Sequence, residues 1–381
     1  MMPESSLRLT LKRRNGRVAA LSVHSTRMVQ AARLFAGRPA GEVLHLLPAV
    51  FALCGTAQAL TGLAAMERAA AIAVAPAQRA ARTLLILAET VAEHGLTVAR
   101  DWPALAGAPP RLECARRLKH AMVGLRSALY PRGDWLHPGG GTLAPDRPRI
   151  AAALDQARLT LAGLLGHDIE ARMEPTVFQD WLHHADATLP VMVAARGWAG
   201  FGAHILLPMP ELGPPDLSAR LATDHDGRYL ARPDCAGRVF ETGPLAHWHW
   251  HPLVADLTQR HGAGLLARLA ARLVALASAL REMSDLGHDL GVEPAAAAPA
   301  LDGEGLALTE AARGLLAHRV ILKDGRVTHY QILAPTEWNF HPEGPLARAL
   351  AGAADGPELD TLARLLAQAL DPCVACTVSL E

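Results

Sequence analysis

Three cysteines, at two places in this chain, carry the spacing of metal-binding or thiol-redox groups. Cys373 and Cys376 stand three positions apart in Asp371-Pro372-Cys373-Val374-Ala375-Cys376, and Cys54 stands far upstream in Leu53-Cys54-Gly55-Thr56-Ala57-Gln58. Asp371 and Pro372 read as the N-cap and first residue of a helix. Such a helix would put both C-terminal thiols on one turn and favour their thiolate forms. A lone C-x-x-C pair is compatible with half a zinc site, a redox couple or chance. Cys114 and Cys235 have no spaced partner and read as ordinary small side chains.

The elements that must bring these thiols together are mostly helical. The chain has 381 residues, half of them hydrophobic, and its 37 basic residues balance 37 acidic ones. No dense basic run points to nucleic acid. Five cysteines in a chain of this length do not make a disulfide framework, and no signal peptide is visible. The expectation is a reducing cytoplasm. Residues 46–66 are uncharged and long enough to span a bilayer. They include Pro48, Gly55, Gln58, Thr61 and Gly62, which favours a buried core segment over a lipid-facing helix.

Alternation around Asn15-Gly16 predicts a β-hairpin over 7–23, and Asp324-Gly325 predicts a second over 319–333. Helices are expected near 26–36, 76–98, 112–129, 151–165 and 265–283, with a last one ending at Leu370. In the 265–283 helix, Leu269, Leu273, Leu276 and Leu280 form one face, with Arg268 and Arg272 expected off it. Pro294 and Pro299 enclose four alanines and read as a linker near 294–300. The whole reads as a mainly α chain with small peripheral β-hairpin regions, one domain over 1–381.

Several motifs, in order along the chain, together resemble the nickel–iron hydrogenase large subunit. Asp371-Pro372-Cys373-x-x-Cys376 resembles its D-P-C-x-x-C-x-x-H, and Leu53-Cys54-Gly55-Thr56-Ala57 its R-x-C-G-x-C. Between them Glu241-Thr242-Gly243-Pro244-Leu245-Ala246 resembles E-V-G-P-L-A. Glu310-Ala311-Ala312-Arg313-Gly314 resembles E-A-P-R-G, and Pro335-Thr336-Glu337-Trp338-Asn339 resembles P-T-x-W-N. The resemblance implies that family's helical core. It also implies a metal site drawn from Cys54, Cys373 and Cys376, with Arg313, Asp371, Glu89 and Gln30 around it. Arg313 would hydrogen-bond cyanide nitrogens. Glu89 would stand for a carboxylate over the active site, and Gln30 for a proton-passing glutamate.

The departures from the family pattern are informative. Ala57 replaces the second cysteine of the N-terminal pair, Ser379 the C-terminal histidine, Thr61 another histidine, and Gln30, in Arg27-Met28-Val29-Gln30, the glutamate of the family's R-G-x-E. One bridging thiolate is therefore missing, and an amide cannot relay protons as a carboxylate does. Three thiolates can still hold one soft-ligand iron. This pattern resembles the HupK/HoxV-type hydrogenase accessory proteins, shorter and degenerate copies of the large subunit. The chain stops two residues after Ser379, leaving nothing obvious to clip.

The resemblance implies a non-enzymatic maturation scaffold for the Fe(CN)2(CO) unit, with nickel as a lesser candidate. HypC-type and HypD-type maturation proteins and the large subunit or its precursor would be its partners. A catalytic hydrogenase large subunit is the rival expectation, and a zinc or thiol-redox protein the third. The histidines of His247-Trp248-His249-Trp250-His251 and His183-His184 are used by nothing in the resemblance and read as packed or surface groups.

Overall fold

The computed structural model describes residues 5–381 apart from 167, 170–172, 185–187 and 298–299. Its first element is the expected hairpin, β1 (Ser6–Arg14) and β2 (Arg17–Ser25), turning at Asn15-Gly16, both with positive φ. Alternate residues of β1 through Leu11, namely Leu7, Leu9 and Leu11, are 0–2% exposed. Alternation therefore sets which face is buried. The helices that matter for the site are α1 (Ala40–Val50), α2 (Gly55–Ala69), α3 (Pro76–Leu96), α4 (Leu112–Leu129), α5 (Arg147–Leu165) and α6 (Leu265–Asp289). The segment expected to be helical near 26–36 narrows to a 3-10 helix, Ala31–Phe35.

Helix α3 packs between α4 and α6, and α5 closes the far side against both α4 and α6. The leucine face expected of α6 is buried, but so are Arg268 and Arg272, at 3% and 1% exposure. That corrects the expectation that they lie off the core. A helix surrounded on all sides can hold a charge only by pairing it. Arg268 meets Glu241 at 2.8 Å, and Arg272 meets Asp371 at 3.4 Å.

The second hairpin gains a partner that its pattern did not announce. β3 (Gly303–Ala311), β4 (Gly314–Lys323) and β5 (Arg326–Leu333) form one antiparallel sheet, with α2 laid across β3 and β4. After α7 (Leu359–Leu370) the chain ends in a strand, β6 (Ala375–Leu380). It adds in parallel to β1, giving the order β2-β1-β6. The two ends of the sequence are thus neighbours in one sheet. A single large cluster of buried apolar residues runs from Leu7 to Val378. Of the expected linker near 294–300, residues 298 and 299 lie outside the described residues; the others form no helix or strand. No single described helix is long and apolar enough to cross a membrane. α1 and α2 pass that test only as a pair, bent by 97°.

Candidate metal-cargo site

Cys54 stands in the elbow between α1 and α2, at the end of the 3-10 turn Ala52–Cys54. The elbow closes tightly because Gly55 lies on Pro48. A Cβ at Gly55 would come within 3.0 Å of Pro48 Cβ and 3.1 Å of its Cα. Cys54 is the N-cap of α2, but the anion serving that helix end is Glu89 of α3. Its carboxylate accepts from the Thr56 and Ala57 amides at 2.7 and 2.9 Å. These bonds satisfy two of the orphan donors that every helix start carries. Burial pushes the Glu89 pKa up, and the two amide bonds oppose that. The carboxylate that meets Arg313 is Glu93, one turn further along α3, at 2.9 Å.

The C-terminal motif is built differently from its sequence reading. Asp371 does not start a helix; it ends α7, in the left-handed region at φ 52°. Aspartate is one of the few non-glycine residues enriched there. Its amide returns to the carbonyls of Ala367 and Gln368. Pro372 has no amide hydrogen with which to continue the helix. An Asp-Pro pair can open a helix or stop one, and here the amphipathic run preceding it, α7, decides for the stop. Cys373 then turns inward, while Cys376 falls on β6 opposite Leu7 of β1. Paired residues in a sheet share a face, so the Cys376 side chain lies with Leu7, packed against the core. Burial pushes its pKa up to about 11.

Cys54 and Cys373 meet in a cavity of about 480 Å³ whose walls also include Arg27, Gln58, Arg313 and Pro335. The two thiols interact there, and the interaction with Cys54 is the largest cause lowering the Cys373 pKa, to about 6. Arg27, Arg313 and Thr336 assist, against the opposing effect of burial. The same interaction, with burial, holds Cys54 well above its ordinary value, so Cys373 is the more acidic thiol of the pair. Thr336 Oγ1 donates to the Cys373 sulfur and accepts from the Cys373 amide, both at 3.2 Å, fixing its direction. Cys376, Glu89 and Gln30 are not among the residues lining this cavity. Gln30 packs instead against Gly227, where any Cβ would collide with the glutamine side chain.

Two guanidinium groups flank the sulfurs. Arg313, 8% exposed, donates to the Leu53 carbonyl at 3.3 Å and so holds the elbow beside Cys54. It also lies 3.4 Å from Asp371. Burial opposes ionisation of Asp371, yet Arg313 and Arg272 hold its carboxyl below the ordinary range. His94, beside this cluster, is pushed down to about 3 by burial and then by Arg272, so it is neutral. Arg27 donates its Nε to Glu337 at 2.7 Å. Sequence reasoning missed Arg27, although it opens the Arg27-Met28-Val29-Gln30 stretch in which Gln30 drew attention. Among the described residues no three His, Cys, Asp or Glu side chains gather closely enough to hold a metal ion. The cavity therefore offers two sulfurs and two cations, a donor set for a soft metal that brings anionic ligands of its own.

The family description "Nickel-dependent hydrogenase" matches residues 254–379. The hydrogenase expression/formation protein HupV of Azotobacter chroococcum is 33% identical, over 98% of this chain and 98% of its own length. The chain belongs to the HupK/HupV/HoxV family of hydrogenase expression/formation proteins. HoxV of Cupriavidus necator is 31% identical, over 91% of this chain and 90% of its own length. The fold is that of the hydrogenase large subunit. The [NiFeSe] hydrogenase of Desulfovibrio vulgaris Hildenborough superposes with a TM-score of 0.69 at 18% identity, covering 95% of this chain and 94% of that one.

Within this HupK/HoxV-type chain the remaining motifs brace the site. Thr242, of the Glu241–Ala246 stretch, exchanges hydrogen bonds with Asn339, giving 3.1 Å from its amide and accepting 2.9 Å at its carbonyl. Its hydroxyl accepts from the Leu315 amide at 2.7 Å. These contacts tie the start of β4, just past Arg313, to the segment carrying Thr336. Ala57, where the large subunit has a cysteine, is 1% exposed. Thr61 donates to the Ala57 carbonyl at 2.6 Å. Cys114 and Cys235 lie outside the cavity, and all five cysteines are free thiols. The His247–His251 stretch stacks Trp248 on Trp250, 5.4 Å between ring centres, away from the thiols.

Proposed function

We propose that this protein is a non-enzymatic maturation scaffold that carries the Fe(CN)2(CO) unit as cargo, held by Cys54 and Cys373, before transfer to the hydrogenase large subunit. The observation that carries the reading is the pairing of these two thiols in a cavity flanked by Arg27 and Arg313, beside an alanine at position 57. Thiolates suit a low-spin iron with strong-field ligands, and guanidinium N–H groups suit cyanide nitrogens. Cys376, tied into β6, would join as a third ligand only if that strand left β1. Nickel is the lesser candidate, because the large subunit's nickel uses four thiolates and this cavity presents two.

The same features argue against hydrogen chemistry. Gln30 is not among the residues lining the cavity and its amide has no ionisable proton to relay, and Ala57 supplies no bridge between two metals. HypC-type and HypD-type maturation proteins fit as donors of the unit, and the large subunit or its precursor as acceptor, in the cytoplasm. The test is an infrared spectrum of protein co-produced with the maturation proteins and purified without oxygen. Cyanide and CO stretches with stoichiometric iron are expected. A spectrum without them, at full occupancy by another metal, rejects the reading. Hydrogen oxidation by the unmodified chain would instead establish the catalytic rival.

A further inference from the structure

A buried polar chain reaches the Cys54 sulfur. Gln58, one turn along α2, places its Nε2 3.5 Å from Cys54 Sγ. Its Oε1 lies 2.9 Å from Nε2 of His318 on β4, and His318 Nδ1 lies 2.9 Å from the hydroxyl of Tyr330 on β5. All three side chains are at most 2% exposed. The chain has one consistent direction. An amide nitrogen only donates and an amide oxygen only accepts. With the Gln58 nitrogen on sulfur, its oxygen takes a proton from His318 Nε2. The other nitrogen of the neutral ring must then accept from Tyr330. Sheet, helix and hydrophobic core all hold this arrangement. Phe35 meets the Tyr330 ring edge-on at 5.5 Å. Gly62 of α2 leaves the space: a Cβ there would stand 2.6 Å from both the Tyr330 hydroxyl and Leu47.

We propose that Gln58, oriented by His318 and Tyr330, is a positioning residue that keeps an amide N–H on the Cys54 sulfur and so sets how strongly that sulfur donates to bound iron. The inference rests on the cargo reading above. Hydrogen bonds to a metal-bound sulfur withdraw charge from it, and such outer groups tune both the retention and the electronics of the metal. A histidine present only to satisfy the core would have no reason to act on the cargo.

The test compares Gln58→Leu, His318→Leu, His318→Gln and Tyr330→Phe as loaded proteins. Infrared bands and the rate of iron loss to a chelator are read for each, with thermal melting as a check on folding. In Gln58→Leu and His318→Leu the sulfur regains charge. The cyanide and CO bands should move to lower frequency, and the more strongly donating sulfur should release iron about tenfold more slowly. His318→Gln can donate to Gln58 and accept from Tyr330, so it should restore both values. Should His318→Leu not fold, Gln58→Leu and Tyr330→Phe, each retaining the histidine, carry the comparison. Bands that stay in place in Gln58→Leu overturn the inference alone. So does an equal shift in His318→Leu and His318→Gln. If the wild-type protein itself shows no cyanide or CO bands, the cargo reading falls and this inference with it.

Discussion

Replacing Cys54 by alanine should make Cys373 a weaker acid. In the folded protein the Cys373 pKa is lowered to about 6, against 9.0 for an ordinary thiol, and the largest cause is its interaction with Cys54. At pH 7 a group of pKa about 6 is roughly nine-tenths thiolate, and one of pKa about 9 is about one-hundredth thiolate. Full loss of the shift would therefore cut the thiolate about ninetyfold. Arg27, Arg313 and Thr336 remain in place, so the expected fall is smaller, about tenfold. Cys54→Ser keeps a hydroxyl donor and should keep most of the shift. The assay is alkylation of metal-free protein across pH 4 to 10, resolved by peptide mass spectrometry. The inflexion should be read, not the plateau, because a thiolate's intrinsic nucleophilicity falls with its pKa. In wild type, Cys373 should react with an inflexion near 6, while Cys54 stays unreactive until the pH is well above 9. An unchanged Cys373 inflexion in Cys54→Ala would refute the coupling of the two thiols and assign the shift to the arginines.

Iron per chain in single variants separates the facing pair from the strand cysteine. Cys54→Ala and Cys373→Ala should lose the cargo and Cys376→Ser should keep it, and the reverse pattern would show that β6 leaves its sheet on loading. Arg313→Ala leaves Glu93 unpaired and Asp371 with one partner in place of two, so denaturant titration should show a loss of about 3–5 kcal/mol; a loss below about 1 kcal/mol would mean the cluster is solvated in solution. Ala57→Cys combined with Gln30→Glu should still give no hydrogen oxidation in a gas-uptake assay, because position 30 faces Gly227 and position 379 remains serine.

The sequence made some of this legible and hid the rest for physical reasons. The helices with clear apolar periodicity, such as α3, α4 and α6, begin where their spacing says. Cys54 and Cys373 could be paired only through a family resemblance, since 319 positions separate them. The C-terminal end was misread because Asp-Pro serves equally at a helix start and just past a helix stop. Val374 to Leu380 nevertheless carries alternation and β-branched residues, which could have indicated a strand. On α3, Glu89 and Glu93 share a face one turn apart, and spacing cannot say which of them reaches Arg313. Arg27 was visible in its motif but overshadowed by the more unusual Gln30. The Gln58–His318–Tyr330 chain left no local signal, because its members come from a helix and two distant strands.

The parallel pairing of β6 on β1 bears on when the protein becomes competent. One edge of β1 stays uncovered until residues 375–380 have been made and can pair with it. Cys373 is held between α7 and β6, so the thiol pair cannot form on a chain that has not reached it. Pairings of such long sequence separation also come late in folding. On the cargo reading, a copy truncated before Cys373 would present Cys54 alone and lack the two-sulfur site.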